Sequence, residues 1–149
     1  MKFRIQKLEQ FKGEQAGIYS VYLEDEQETL FERFIKENVD SFKSEIVDIT
    51  QRIKAINEKT GAREQYFKLK EGVPGDGVCA LYDLPDKHLR LYCIRYGSSL
   101  VILGGGGLKE KEIRAFQENE KLRDENYFFL KVSALISERI HDGDIEYTS

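Results

Sequence analysis

The chain has 149 residues, of which 34% are charged and 40% hydrophobic, with a formal net charge of -4. That length buries a core without disulfide or metal staples, and no apolar run approaches the ~18 residues of a membrane span. One soluble domain over residues 1–149 is therefore expected, with 116–149 as a C-terminal helical extension. The acidity does not exclude a nucleic-acid partner, because residues 51 to 115 carry 12 basic and 8 acidic side chains, and a local basic surface is what phosphate contact needs. Met1 to Glu9 lacks the continuous apolar centre of a secretion signal. Cys79 and Cys93 have no Cys-x-x-Cys spacing and read as two small buried hydrophobes, so a reducing cytoplasm is expected.

In chain order, Lys2 to Lys7 alternates apolar and polar residues as a half-buried strand does, and Gly17 to Glu24 is a second strand, with Gly13 in the turn between them. From Glu28 the period becomes helical. Leu30, Phe31, Phe34 and Ile35 share one face, and Phe42, Ile46, Ile49, Ile53 and Ile56 recur at steps of 4, 3, 4 and 3. Asp40 or Ser41 is the expected N-cap of that second helix and Thr60-Gly61 its end. The short connection predicts an antiparallel helical hairpin packed on one face of a sheet.

Gln65 to Lys70 is a short basic and apolar segment, and Glu71 to Gly77 is the richest turn signal in the chain. Val78 to Leu84 reads as a strand. Leu89 to Tyr96 and Leu100 to Leu103 then form a hairpin reversed at Gly97, Ser98 and Ser99. Alternation along its first strand puts Arg90, Tyr92, Ile94 and Tyr96 on one face and Leu89, Leu91, Cys93 and Arg95 on the other. Gly104 to Gly107 follow as a strand exit that permits close backbone approach. Lys111 to Gln117 suits a helical turn or two. A final helix from about Asp124 presents Phe128 or Phe129, Val132, Leu135, Ile136 and Ile140 as an apolar stripe, with Gly143 as its stop. The order predicts α+β: a small, mainly antiparallel sheet, an N-terminal helical hairpin on one face and an added C-terminal helix.

The glycine run lacks a lysine at Walker spacing and lacks a parallel βαβ unit, so it is no nucleotide fingerprint. His88 and His141 stand on a turn and a helix end without partners at ligand spacing. What remains is a basic and aromatic set: Lys68, Lys70, Arg90, Tyr92, Arg95, Tyr96, Lys109 and Lys111. Cations neutralise phosphates and tyrosines stack bases, so the set suits single-stranded RNA. RNA carries its own nucleophile, the 2′-hydroxyl. Cleavage then needs a base, cations for the charged phosphorane and an acid for the departing oxygen, with no metal or cofactor. In the packed alternative, Tyr92 and Tyr96 belong to the core and the cations are solvated ends.

The order of elements and several motifs resemble the RelE/ParE-like toxins of bacterial type II toxin-antitoxin systems, particularly the HigB-like branch. The residues concerned are the helical segment 28–60, Phe67-Lys68-Leu69-Lys70, Ala80-Leu81-Tyr82, Leu89-Arg90-Leu91-Tyr92, Leu100-Val101-Ile102-Leu103-Gly104 and Lys109. The likeness covers roughly residues 17 to 115. It implies an mRNA interferase, an endoribonuclease that often acts on the ribosome, and a helix-turn-helix antitoxin as partner. Carried over, Arg90 matches the arginine of the central strand, Lys68 and Lys70 the basic pair before the sheet, and Lys109 the first lysine after the third strand. With the basic and aromatic set read from the residues, the expected catalytic set is Arg90, Lys68, Lys70 and Tyr92, with Arg95, Tyr96, Lys109 and Lys111 binding substrate. In place of the family's His-Gly-Phe and paired lysines, this chain has Gly104 to Gly107 and then Leu108-Lys109-Glu110-Lys111. A non-catalytic protein-binding module on the same scaffold is the second expectation, and a small-molecule enzyme using the glycine loop the third.

Overall fold

The computed structural model describes residues 3–68, 78–109 and 116–141. The strands are β1 (Phe3–Lys7), β2 (Gly17–Leu23), β3 (Glu28–Thr29), β4 (Phe67–Lys68), β5 (Val78–Leu81), β6 (Leu89–Tyr96) and β7 (Leu100–Leu108), and the α-helices are α1 (Leu30–Asn38), α2 (Lys43–Ala55) and α3 (Phe116–His141). Among the described residues one sheet runs in the order β1-β2-β7-β6-β5-β4, with β3 beside β2. All its pairings are antiparallel except that of β2 with β7. The fold is thus α+β, with a mostly antiparallel mixed sheet and three helices. Strands come first in the chain, as the alternation of Lys2 to Lys7 and Gly17 to Glu24 predicts, and the N-terminal helical hairpin is not shown. The parallel β2–β7 pair needs a long crossover, and here β3, α1, α2 and the strands β4 to β6 lie between them in sequence.

The helices cover the sheet from two sides. Phe31 and Phe34 of α1 and Ile46, Ile49 and Ile53 of α2 share one core with Leu89, Leu91, Cys93, Val101 and Leu103. On the other face Leu122, Phe129 and Val132 of α3 meet Val78, Tyr92, Ile94 and Ile102. Each fully buried side chain of this size contributes roughly 1.5–3 kcal/mol relative to exposure. The period-2 reading of β6 holds, since Leu89, Leu91 and Cys93 belong to the first core and Tyr92 and Ile94 to the second. Cys79 and Cys93 are cross-strand partners, both buried and free, with sulfurs 3.5 Å apart.

Local chemistry sets the helix ends. Thr29 begins α1 with a capping box, its Oγ1 accepting from Glu32 N at 3.0 Å while Glu32 Oε1 accepts from Thr29 N at 3.3 Å. Neither Asp40 nor Ser41 caps α2; its first turn starts from Phe42 with no side-chain cap. That start is fixed from outside, by Phe42 packing on His88 at 5.1 Å between ring centroids and by Glu45 reaching β6. A π-helical turn, Ile56–Thr60, extends α2 to Gly61 at φ 73°, the left-handed region where glycine carries no Cβ penalty.

Three boundaries differ from the expected ones. Strand β5 stops at Leu81 rather than Leu84. Strand β7 runs through the glycines to Leu108 instead of ending at Leu103. Gly104 and Gly105 stand together opposite Tyr92, between the pairs Cys93–Leu103 and Leu91–Gly106, which is the two-against-one geometry of a β-bulge. Helix α3 begins at Phe116, ahead of Asp124. Phe129 and Val132 of its expected stripe are buried and Phe128 and Leu135 partly so, while the side chains of Ile136 and Ile140 lie outside the described residues. The glycines make room for this helix: a Cβ on Gly104 would stand 2.9 Å from the Phe129 ring, and one on Gly105 would stand 2.5 Å from Glu125 Oε2. The turn at Glu71 to Gly77, the segment 110–115 and the stop at Gly143 also lie outside the described residues.

Candidate functional site

Three of the cations singled out in the sequence end on one carboxylate. Lys68 comes from β4, Arg90 from β6 and Lys109 from the residue after β7. Asp83, on the segment leaving β5, accepts from Lys68 Nζ at 2.9 Å and Lys109 Nζ at 2.7 Å through Oδ1, and from Arg90 Nε at 3.2 Å through Oδ2. Strand register explains the convergence. Lys68 is paired with Ala80 and Arg90 with Gly107, so no side chain stands across the ladder from the guanidinium. Lys109 Nζ is tied further to Leu84 O at 2.8 Å, and Lys68 Nζ sits 5.7 Å from the Tyr82 ring centroid.

Asp83 is 4% exposed. Burial pushes its carboxyl up, but hydrogen bonds from Arg90, Lys109 and Lys68 outweigh that and hold it below the ordinary carboxylate range. Both ammonium groups share the single oxygen Oδ1, so one carboxylate charge is divided between two lysines before Arg90 is considered. A phosphate is the kind of anion such donors can hold, because its several oxygens satisfy more donors than one carboxylate can.

The other expected site residues lie elsewhere. Tyr92 is 4% exposed in the core beneath α3, so its ring is packed where stacking on a base was expected. Arg95 is five residues along β6 from Arg90, roughly 16 Å away at the rise of an extended strand, and its Nε donates to Ala62 O at 2.5 Å. Tyr96, beside it, packs against the α3-side core. Lys70 and Lys111 lie outside the described residues.

Two carboxylates that organise this region were not singled out in the sequence. Asp83 lay within an expected strand, and its signal was an acid in the apolar run Val-Cys-Ala-Leu-Tyr-Asp-Leu. Glu45 sits three residues after Phe42, on the apolar stripe of α2. It partners His88, which spacing alone had left without one. Glu45 Oε1 accepts from His88 N at 2.8 Å and Leu89 N at 3.1 Å, and Oε2 lies 2.6 Å from His88 Nδ1. Burial raises the Glu45 carboxyl, yet the bonds from His88 and Leu89 prevail and hold it low.

Beside the cluster a groove of about 440 Å³ opens between α2 and the end of β5, lined by Arg52, Ile56, Tyr66, Leu81, Tyr82 and Leu84 among others. Tyr82 belongs to both places, its ring facing Lys68 and lining the groove. Tyr82 and Leu84 are 44% and 52% exposed. Among the described residues no helix is long and apolar enough to cross a membrane. Comparisons with protein-family models, with curated proteins and with solved structures find no match to this chain.

Proposed function

We propose that this protein is an RNA endonuclease of the RelE/ParE-like toxin kind, on the HigB-like branch. On this reading it is an mRNA interferase acting in the cytoplasm, on free or ribosome-bound message, and is neutralised by a helix-turn-helix antitoxin. The observation that carries the reading is the convergence of Lys68, Arg90 and Lys109 on one buried carboxylate. The chain order also supports it: α1 and α2 stand for the family's helical hairpin, and β5, β6 and β7 for the three strands that follow. An incoming phosphate takes the place of the Asp83 carboxylate among these cations. Attack of the 2′-oxygen on that phosphate builds negative charge on the phosphorane, and cations already held in place stabilise it without reorganising. Arg90 offers a planar, permanently charged fork for this purpose, and the lysines act as point charges.

The test is induced expression in bacteria, with growth and mapped mRNA ends compared between wild type and Arg90→Ala. The expected result is growth arrest with new 5′-hydroxyl ends for wild type and neither for the variant. Normal growth with intact transcripts under strong wild-type expression would overturn the reading. It would favour the alternative, a non-catalytic protein-binding module. The observation on that side is the exposed pair Tyr82 and Leu84 on the groove rim.

A further inference from the structure

We infer that the groove between α2 and the segment leaving β5 is a base-binding subsite for single-stranded RNA, in which an unstacked base lies against the Tyr82 ring while its strand runs on to the cluster of Lys68, Arg90 and Lys109. The inference rests on the function proposed above and deepens it. It gives Tyr82 the stacking role that Tyr92, packed beneath α3, does not fill.

Shared contacts place the groove beside the cluster. Lys68 Nζ lies 2.9 Å from Asp83 Oδ1 and stands over the Tyr82 ring at 5.7 Å from its centroid. Lys109 Nζ lies 2.7 Å from the same carboxylate oxygen and donates to Leu84 O at 2.8 Å. Tyr82 and Leu84 both line the groove. Two of the three cations therefore meet Asp83 and a residue of the groove wall through one and the same ammonium nitrogen. A strand whose phosphate reaches these cations brings its neighbouring bases to Tyr82.

Tyr82 is held in place without being covered. Its N–H donates to Tyr66 O at 2.8 Å, and its carbonyl oxygen accepts from the Arg52 guanidinium of α2. Both backbone groups are tied to neighbouring elements, yet the residue stays 44% exposed. An aromatic side chain fixed at its backbone and open at its ring has little freedom left to lose when a flat partner settles on it. Beyond the ring, the lining continues with Tyr66 and the apolar side chains of Ile56 and Leu81. The volume of about 440 Å³ falls within the roughly 300–1,000 Å³ of small-ligand sites.

Charge selects the occupant. The charged side chains of the lining are Arg52, Lys87 and Asp48, and Asp48 lies 3.1 Å from Arg52 Nε, so its charge is already answered. Lys68 adds a further cation at the rim. An apolar protein segment would use the floor of the groove and leave these cations without a role, whereas a polyanion carrying planar bases uses both. Gln65, also on the lining, offers a donor and an acceptor to a base edge.

The test measures binding of a 2′-O-methyl octanucleotide, which cannot be cleaved, to the full chain, using the intact strand and strands with one base at a time removed to leave an abasic sugar. One abasic position is expected to weaken binding to the wild-type chain roughly tenfold or more, the loss of one stacked base. Tyr82→Ala should weaken binding of the intact strand by a similar factor and should bind that abasic strand no worse than the intact one. Tyr82→Phe keeps the ring and should bind both as wild type does. Tyr82→Ala binding as tightly as wild type, or an abasic penalty that persists in full without the tyrosine ring, overturns the subsite and gives the groove to a protein segment. Cleavage of ordinary RNA by the wild-type chain is read separately: coupled losses in binding with no cleavage keep the subsite and overturn the nuclease reading alone. A wild-type chain that binds no strand overturns both.

Discussion

Asp83 and Glu125 are buried carboxylates that gather cations, and they differ in what surrounds them. Asp83 receives Lys68, Arg90 and Lys109. Glu125, on α3, receives Arg33 Nη2 at 2.8 Å and Lys121 Nζ at 2.5 Å. There, however, the cations have further acids: Arg33 also meets Glu26 at 3.2 Å, and Lys121 meets Glu37 at 3.6 Å. Among the described residues, three acids meet two cations around Glu125, and two lysines share one oxygen at Asp83. The Glu125 cluster clamps α3 to α1 over Gly105, whereas the Asp83 cluster is the one at which the function proposed above places an anion.

Turnover should separate the two clusters most widely. Removing one preorganised charge at a reacting phosphate costs on the order of a hundredfold in rate, so Arg90→Ala should lose at least that in RNA cleavage. Arg33→Ala should keep the wild-type rate per folded molecule. Equal losses would break the comparison.

Stability comes next. Asp83→Ala and Glu125→Ala should each cost about 3 kcal/mol in denaturant unfolding, the low end for breaking a buried ion pair, since the orphaned cations keep some access to water. Added inorganic phosphate sharpens the contrast. It should restore part of the loss for Asp83→Ala, by ~2.7 kcal/mol at a hundred times its Kd, and nothing for Glu125→Ala. In the same assay Gly104→Ala should cost about 1–3 kcal/mol by forcing a methyl against a fully buried ring. Gly107→Ala should change little, because its Cβ would meet Lys121 Cγ at an ordinary 3.5 Å.

Acid probes the receptor side. Asp83 and Glu45 are both held below the ordinary carboxylate range. Each stabilises the fold at pH values above its unfolded pKa, and that contribution is lost as pH falls through the lower folded value. The melting temperature should be level near neutrality and fall in the acid range, with a shallower fall for Asp83→Asn and for Glu45→Gln. An unchanged slope in both variants would show that other carboxylates set it. The smallest effect is on salt dependence: Lys68→Ala should reduce the slope of log K against log salt for single-stranded RNA by about 0.7.

Much of the fold was legible in consecutive residues. The change from period 2 to period 3.6 near Glu28, the Gly97 reversal and the two faces of β6 all follow from local alternation. Lys68, Arg90 and Lys109 could be singled out for the same reason, since cations at strand ends stand out against apolar runs. Their convergence could not. Lys68 and Lys109 lie 15 and 26 residues from Asp83, His88 lies 43 from Glu45 and Arg33 lies 92 from Glu125. An acid inside an apolar run, as Asp83 is, signals burial, but nothing local says which distant cations it will meet.

The sequence by itself determined the type of most segments and which side chains β6 sends to either face, because backbone geometry reads residue spacing directly, although β7 and α3 run beyond the ends that spacing marks. Tertiary structure decided the rest. The parallel pairing of β2 with β7 set the order of the sheet, and α3 lying over the glycine bulge buried Tyr92, the expected base-stacking ring. The path of the chain after β5 turned Asp83 into the meeting point of three cations. Each of these depends on which distant segments the packed core brings together, and side-chain period carries no information about that.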